Sequence, residues 1–199
     1  MKPLRWVLAG LAVVVLFALL TAFGFNLGQQ LTWFAFLSSL AAGLGFMAAA
    51  GGRDGAWRPA RVFFVLQWFA LASATVFLWR ILFKHQFEFQ YVASYSSRAM
   101  PPHYVYAAFW GGQEGTFVLW ALITCTIGLV MMRGKHPLTR SAMFFLNLPL
   151  VMLTLVTVIR GPFLMFPAGR VPSPAALVAA STSSRRDANA SSSKIALSQ

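Results

Sequence analysis

Long apolar runs separated by short polar stretches dominate the chain. About 20 apolar residues are needed for a helix to cross about 30 Å of hydrocarbon. Five runs approach that length, at residues 6–23, 27–50, 62–83, about 116–132, and 142–159. The sequence shows no alternating pattern of barrel strands, and backbone groups in lipid must find partners within their own segment. The pattern therefore predicts an all-α, polytopic transmembrane helical bundle of about five helices.

The longest stretch between predicted helices before the C-terminal tail covers residues 84–115. Its aromatic residues alternate at Phe87, Phe89 and Tyr91, which predicts a short extended piece. The proline pair at 101–102 is expected to break regular structure. Tyrosine and tryptophan, which follow the prolines, favour the headgroup level of a bilayer. We therefore expect this stretch to lie along the outer membrane surface and to lead into the fourth helix.

The two ends of the chain differ in character. Residues 1–26 begin with basic residues and continue as an apolar run that is long for a signal peptide, and no small-x-small cleavage site follows it clearly. This favours an uncleaved signal anchor helix. Residues 172–199 are small, polar and without periodicity, and they are predicted to be a disordered tail.

Composition and charge agree with a membrane protein. Charged residues make up 10% of the chain and the mean hydropathy is +0.68, yet the net charge is +12. The basic residues concentrate at alternate ends of the predicted helices, so the positive-inside rule explains the charge better than nucleic-acid binding does. We expect a cytoplasmic N-terminus and a cytoplasmic position for Lys2, Arg5, Arg53, Arg58, Arg61, Arg133, Lys135 and Arg140.

The glycine-rich stretch AFWGGQEGTFVLW, which contains Glu114, is the strongest candidate for a site. Gly111 and Gly115 are four residues apart and would form a close-packing face if the helix starts early. Alternatively, Gly111, Gly112 and Gly115 would permit a tight turn into a helix that begins near Thr116. Glu114 would then be favoured by the helix dipole. An ionisable group at membrane depth is also a site hypothesis, so the residues alone leave a helix cap and a functional site both open.

The remaining candidate residues are weaker indications of a functional site. His85, His103 and His136 are expected in solvated loops, none at metal-ligand spacing. The single cysteine, Cys125, cannot form an internal disulfide, and the chain has no Cys-x-x-Cys-His motif for haem attachment. Trp120 is expected to face another helix. No metal site and no catalytic residue are predicted.

Residues 91–122, YVASYSSRAMPPHYVYAAFWGGQEGTFVLWAL, resemble the CcmF family of cytochrome c maturation proteins. The residues that fit the family pattern are Tyr91, Val92, Ala93, Ser97, Pro101, Tyr104, Trp110, Gly111, Glu114, Gly115, Leu119 and Trp120, with Gly161, Pro162, Phe163 and Pro167 after the fifth predicted helix. The resemblance covers about residues 27–171, and the cytochrome c assembly domain would begin at about residue 84. Residues 1–26 are an addition relative to the family.

The resemblance implies a multi-pass protein of the bacterial inner membrane with an outer-face role in covalent haem attachment to apocytochrome c. The implied partners are membrane lipid, a haem chaperone, other cytochrome c maturation proteins and apocytochrome c, and the implied cofactor is haem. Nucleic acid is not an implied partner. The residues expected to support the haem site are Trp110, Gly111, Gly112, Gln113, Glu114, Gly115 and Trp120.

The chain departs from the family after its fifth predicted helix. The family continues into a His-Pro-Pro motif and a tryptophan-rich haem-binding domain, which this sequence lacks. We therefore expect a truncated portion of a haem lyase component that neither ligates haem nor catalyses by itself, and we hypothesise a frameshift over residues 172–199. Two alternatives remain: a membrane assembly subunit without a role in chemistry, and a non-functional fragment.

Overall fold

The structure, a computed structural model, describes residues 24–97, 100–134, 136 and 138–167. The chain divides into two compact units, Met1–Leu164 and Met165–Gln199, and of the second only residues 165–167, which form no helix, are described. The predicted segments 1–26 and 172–199 fall almost wholly outside the described residues. Six helices occupy the described part of the first unit: α1 Leu27–Ala50, α2 Trp57–Phe83, α3 Gln90–Tyr95, α4 Pro102–Gly111, α5 Gln113–Met131 and α6 Thr139–Ile159.

Four of the helices, α1, α2, α5 and α6, are long and apolar enough to cross a membrane. The prediction of an all-α transmembrane bundle is therefore confirmed, and its second to fifth predicted segments correspond to these helices. Helix α1 packs against α2 and α6, and α5 packs against the same two helices. These four helices are the membrane core of the molecule.

Neighbouring helices in the bundle are antiparallel. The Asn26 amide donates to the carbonyl oxygen of Phe163 at 2.7 Å, and farther along α1 the Asn147 amide donates to that of Ser39 at 3.0 Å. Likewise, the Trp68 indole on α2 donates to the Thr126 hydroxyl on α5 at 3.0 Å. As a result, the starts of α1 and α5 and the ends of α2 and α6 share one end of the bundle, here called the junction end. The opposite end is called the loop end.

The buried residues form two clusters. One lies within the bundle and centres on Phe46, Phe64 and Met143. Because the Phe64 ring occupies the place that a Cβ would take at Gly128, α5 approaches α2 closely, as helices in membranes often do at small residues. The other cluster lies at the junction end. It brings the last turns of α2 together with α3, α4 and Phe163.

The loop end is exposed and basic. Arg140, at the start of α6, pairs with Asp54, in the turn after α1. This contact places the loops that carry Arg53 and Arg133 at the same end of the bundle, as the charge pattern indicates. The two side chains are 40% and 80% exposed, so the pair contributes about 0 to 1 kcal/mol.

The stretch between α2 and α5 is more helical than its sequence predicts. Phe87 lies in a turn and Tyr91 lies within α3, so the predicted extended piece is reduced to Phe89, which has φ −85° and ψ 128°. The prolines lie at a break in helical structure, as predicted, but Pro102 is also the first residue of α4. The first helical position has no intrahelical partner for its N–H group, and proline's fixed φ suits it.

Candidate functional site

The glycine-rich stretch forms the junction between two helices. Helix α4 ends at Gly111, Gly112 is extended with φ −111° and ψ 160°, and α5 begins at Gln113. Gly111 and Gly115 therefore belong to different helices, and the predicted close-packing face on a single helix is wrong. The alternative is wrong in part as well. Helix α5 begins before Thr116, and none of these glycines has a positive φ.

Two of the glycines are explained by close approach instead. A Cβ at Gly115 would overlap the carbonyl oxygen of Phe109 and the hydroxyl of Tyr91. A Cβ at Gly112 would lie 2.5 Å from the Tyr95 ring and 2.7 Å from the Tyr91 ring. A side chain at either position would push α3 away from the junction.

Tyr91 is the centre of this junction. Its hydroxyl lies 2.9 Å from the carbonyl oxygen of Ala108 and 2.8 Å from that of Phe109, and its single proton is shared between these two acceptors. It also accepts the N–H of Gly112 at 3.3 Å. The carbonyls belong to the last turn of α4, where no intrahelical partners remain. One buried side chain thus joins α3 to the end of α4 and to the linking residue.

The environment of Tyr91 keeps its phenol neutral. Burial raises the pKa of Tyr91 to about 12, and the nearby Glu114 carboxylate adds to the rise. The hydrogen bond from Gly112 acts in the opposite direction but is outweighed. The hydroxyl therefore keeps its proton, and hence its role as a donor, across the physiological pH range.

Two further contacts hold α4 and α5 in place. The Thr116 hydroxyl lies 2.9 Å from the carbonyl oxygen of Gly112 and 3.2 Å from that of Trp110. Phe109 stacks on Trp79 of α2 with ring centroids 4.9 Å apart and an interplanar angle of 9°. The junction is therefore anchored both to the start of α5 and to the last turns of α2.

The residues expected to support a site do not all converge. Gly112 and Gly115 are buried around Tyr91, and Glu114 is half-buried beside them. Gly111 and Gln113 are exposed, as are Trp110 at 53% and Trp120 at 58%. Among the described helices, none covers Trp120, so the prediction that it faces another helix finds no partner there. Its position on α5 points it away from the buried Val118 and Ala121 that face the core.

A pocket of about 130 Å³ opens beside the junction. Helix α3, the start of α5 and the segment after α6 enclose it, and its lining residues are Gln90, Tyr91, Ser94, Tyr95, Glu114, Gly161 and Leu164. Glu114 lines the pocket, and its Oε2 atom is buried without a hydrogen-bond partner. Sequence analysis missed the α3 contribution. The spacing of four between Gln90 and Ser94, and between Tyr91 and Tyr95, is the signal for a shared helical face, which the expected extended piece obscured.

The histidines lie apart from the pocket lining. His103 and His136 are exposed. His85 is only partly exposed, its ring centroid is 6.0 Å from that of Phe87, and its Nδ1 atom is buried without a partner. The expected solvated position is therefore wrong for His85. Among the described residues, no group of three His, Cys, Asp or Glu side chains is placed to hold a metal ion.

The chain is similar, over part of its length, to a known protein. No protein family profile matches the chain, and no solved structure matches it. The chain is 35% identical over 82 residues to the cytochrome c-type biogenesis protein CcmF of Pseudomonas aeruginosa. The match covers 35% of this chain and 12% of that protein. The chain thus spans a small part of the relative's length. Over that part, this transmembrane chain is similar to a protein of cytochrome c biogenesis.

Proposed function

We propose that this chain is a component of cytochrome c maturation that supports haem handling at the outer face of a bacterial inner membrane. The observation that carries the proposal is the 35% identity over 82 residues to a cytochrome c-type biogenesis protein. Because the match covers 12% of that relative, the proposed role is support of the haem site by a membrane portion.

The charge distribution supports the orientation in this proposal. The basic loops meet at the loop end, and short basic loops are retained on the cytoplasmic side. The junction end would then face outward, where haem meets apocytochrome c. Helix α1 starts at the junction end, so a preceding membrane span would return the N-terminus to the cytoplasm.

The described residues do not fit a resident haem. An iron ligand pair would need two donors on one cavity, but His85 lies before α3, His103 lies in the first turn of α4 and His136 is at the loop end. The pocket of about 130 Å³ is also too small for a porphyrin. The supporting role therefore falls to the junction, which presents the exposed aromatic side chains of Tyr104, Tyr106 and Trp110 along α4 for contact with a haem-carrying partner.

Deletion of the gene in its own host tests the proposed function. We expect the haem covalently bound to c-type cytochromes to fall at least several-fold on haem-stained gels, while b-type haem, which needs no covalent attachment, stays constant. Expression of the 199-residue chain in trans should restore the c-type signal. Unchanged c-type cytochromes after deletion would contradict the proposal. A stoichiometric haem spectrum from the purified chain, lost on histidine substitution, would contradict the supporting role.

An assembly subunit without a role in chemistry is the second candidate, favoured by the outward-facing apolar residues Trp120, Ile123 and Ile127 of α5. Gly115 is unsuitable for separating the two candidates, because it is buried within the chain's own fold. Trp110→Ala and Trp120→Ala are suitable, because both side chains are exposed. Lost co-purification of partners with Trp120→Ala indicates packing. If Trp110→Ala loses haem attachment but still co-purifies with its partners, the chain supports the haem site.

A further inference from the structure

The pocket beside the junction is polar although the chain around it is apolar. Its walls contribute a carboxylate from Glu114, a hydroxyl from Ser94, an amide from Gln90 and the rings of Tyr91 and Tyr95. Such a set of acceptors and aromatic surface differs from the apolar packing of the two buried clusters. It is the composition of a site for a cationic hydrogen-bond donor.

Glu114 leaves an acceptor in this pocket unused. Its Oε2 atom is buried and has no hydrogen-bond partner, a state that is unfavourable for any polar group and more so for a charged one. Its place in the first turn of α5 is favoured by the helix dipole, but that interaction supplies no donor to Oε2. The ion pair found in the described part of the chain, Arg140 with Asp54, lies at the loop end. A donor from outside the described residues would satisfy Glu114.

The other walls favour a cation with several donors. The Ser94 hydroxyl donates to the carbonyl oxygen of Gln90 at 2.8 Å, so its own oxygen remains able to accept. Gly161 lines the pocket just beyond the end of α6, and the C-terminal end of a helix attracts positive charge. The rings of Tyr91 and Tyr95 lie 4.8 Å apart and are tilted by 45°, and Tyr95 is 37% exposed, which offers a ring face to a cation.

The size of the pocket limits the ligand. One water molecule needs about 10 to 15 Å³ of such a cavity. A pocket of about 130 Å³ therefore holds a planar group of several atoms but no large ligand. A guanidinium group fits these limits. It is planar, carries five donors, pairs bidentately with a carboxylate and stacks on aromatic rings. An ammonium group is a compact, strongly hydrated charge that would use fewer of these walls.

We propose that this pocket binds the guanidinium group of an arginine side chain presented by a polypeptide at the same face of the membrane. Glu114 would accept from the guanidinium, Ser94 would accept a further donor, and the Tyr95 ring would cover one face. This binding site does not depend on the proposed function in cytochrome c maturation, and the two can fail separately.

Ligand-observed NMR with the full 199-residue chain in detergent micelles tests the site. The probes are N-acetylarginine amide, its lysine counterpart, and its citrulline counterpart, which has nearly the shape of arginine without the charge. We expect the arginine probe to bind at least tenfold more tightly than the citrulline probe, with the lysine probe between them. Equal binding of arginine and citrulline would overturn the proposal, as would absence of binding. Tighter binding of free arginine than of its blocked amide would contradict the proposal that the arginine belongs to a polypeptide.

Two variants and a matched control locate the binding. Glu114→Gln keeps the shape and removes the charge, and we expect at least a tenfold loss of arginine binding. Ser94→Leu fills the pocket from an exposed position while keeping Glu114, and it should abolish binding. Glu88→Gln removes the other described carboxylate of this end, which is exposed and outside the pocket lining, and it should leave binding unchanged. Helix content from circular dichroism must match wild type in each variant. Retained binding in both pocket variants, or equal loss in Glu88→Gln, contradicts the proposal.

Discussion

The junction end and the loop end of the bundle are built in different ways. At the junction end, buried aromatic rings, three hydrogen bonds to the Tyr91 hydroxyl and two glycines without room for a Cβ hold helices α3, α4 and α5 together. At the loop end, the turn 51–55 is exposed and its one described side-chain contact is the ion pair of Asp54 with Arg140. Shape is therefore specified at the junction end.

The difference shows which end of the bundle requires precise positions of its helices. Charged loops need only reach water on the correct side of the membrane, and many sequences meet that requirement. A junction of three helix ends leaves backbone groups unpaired, and each buried group needs a partner at a fixed position. Substitutions at the two ends should thus differ sharply in their effects on stability.

Gly115→Ala is expected to have the largest effect. The new Cβ would overlap a backbone carbonyl oxygen and the Tyr91 hydroxyl, and because backbone cannot move aside locally, we expect a loss of about 3 kcal/mol or more in the free energy of unfolding. Denaturant titration of the chain in mixed micelles, followed by circular dichroism, measures this. The matched control is Gly55→Ala at the loop end, where a Cβ meets nothing within 4 Å. Equal stability of the two variants would remove the contrast between the ends.

Tyr91→Phe is expected to have the next largest effect on the free energy of unfolding. Loss of the hydroxyl leaves the carbonyls of Ala108 and Phe109 and the N–H of Gly112 without this partner, at a cost of about 1 to 3 kcal/mol. The same titration measures it. Tyr104→Phe removes a hydroxyl from a side chain that is 57% exposed and should change stability by less than about 0.5 kcal/mol. A Tyr91→Phe variant as stable as Tyr104→Phe would show that the hydroxyl does not hold the junction.

High pH should weaken the junction selectively. Because the pKa of Tyr91 is raised from 10.0 to about 12 in the folded chain, its stabilising contribution is complete below pH 10 and is lost as pH rises through 12. Between pH 10 and pH 11 we expect the stability difference between wild type and Tyr91→Phe to shrink by about 1 kcal/mol, since one pKa unit corresponds to about 1.4 kcal/mol. Urea titrations of both proteins at the two pH values test this. A constant or growing difference would contradict the buried, neutral phenol.

Arg140→Ala should have the smallest effect. The pair with Asp54 is exposed at 40% and 80%, so its loss should cost about 0 to 1 kcal/mol at low ionic strength and less in salt. Arg61→Ala, which removes an exposed charge near the same end without a described partner, is the control. A loss above about 2 kcal/mol for Arg140→Ala would mean that the loop end also specifies shape.

Much of the bundle could be predicted from the sequence, while little of the site could. The apolar runs located the four described spans, and the basic loops were assigned correctly to one end. The two helices between α2 and α5 were not predicted, because the alternating aromatic residues at 87–91 indicated an extended piece and the proline pair at 101–102 indicated a break. The sequence left open whether Gly111 and Gly115 share one helix, because their spacing carries no information about the break at Gly112.

The sequence by itself determined that this protein is a transmembrane bundle and which of its loops lie together, because hydrophobic length and charge act residue by residue on the surrounding lipid and water. Only the tertiary structure decided why Gly112 and Gly115 are glycines and where Glu114 points. Those properties depend on Tyr91, which is more than twenty residues away along the chain from both of them and meets them only when α3 folds against the start of α5. Contacts between distant segments have no local pattern, and so the pocket beside Glu114 becomes visible only in the folded chain.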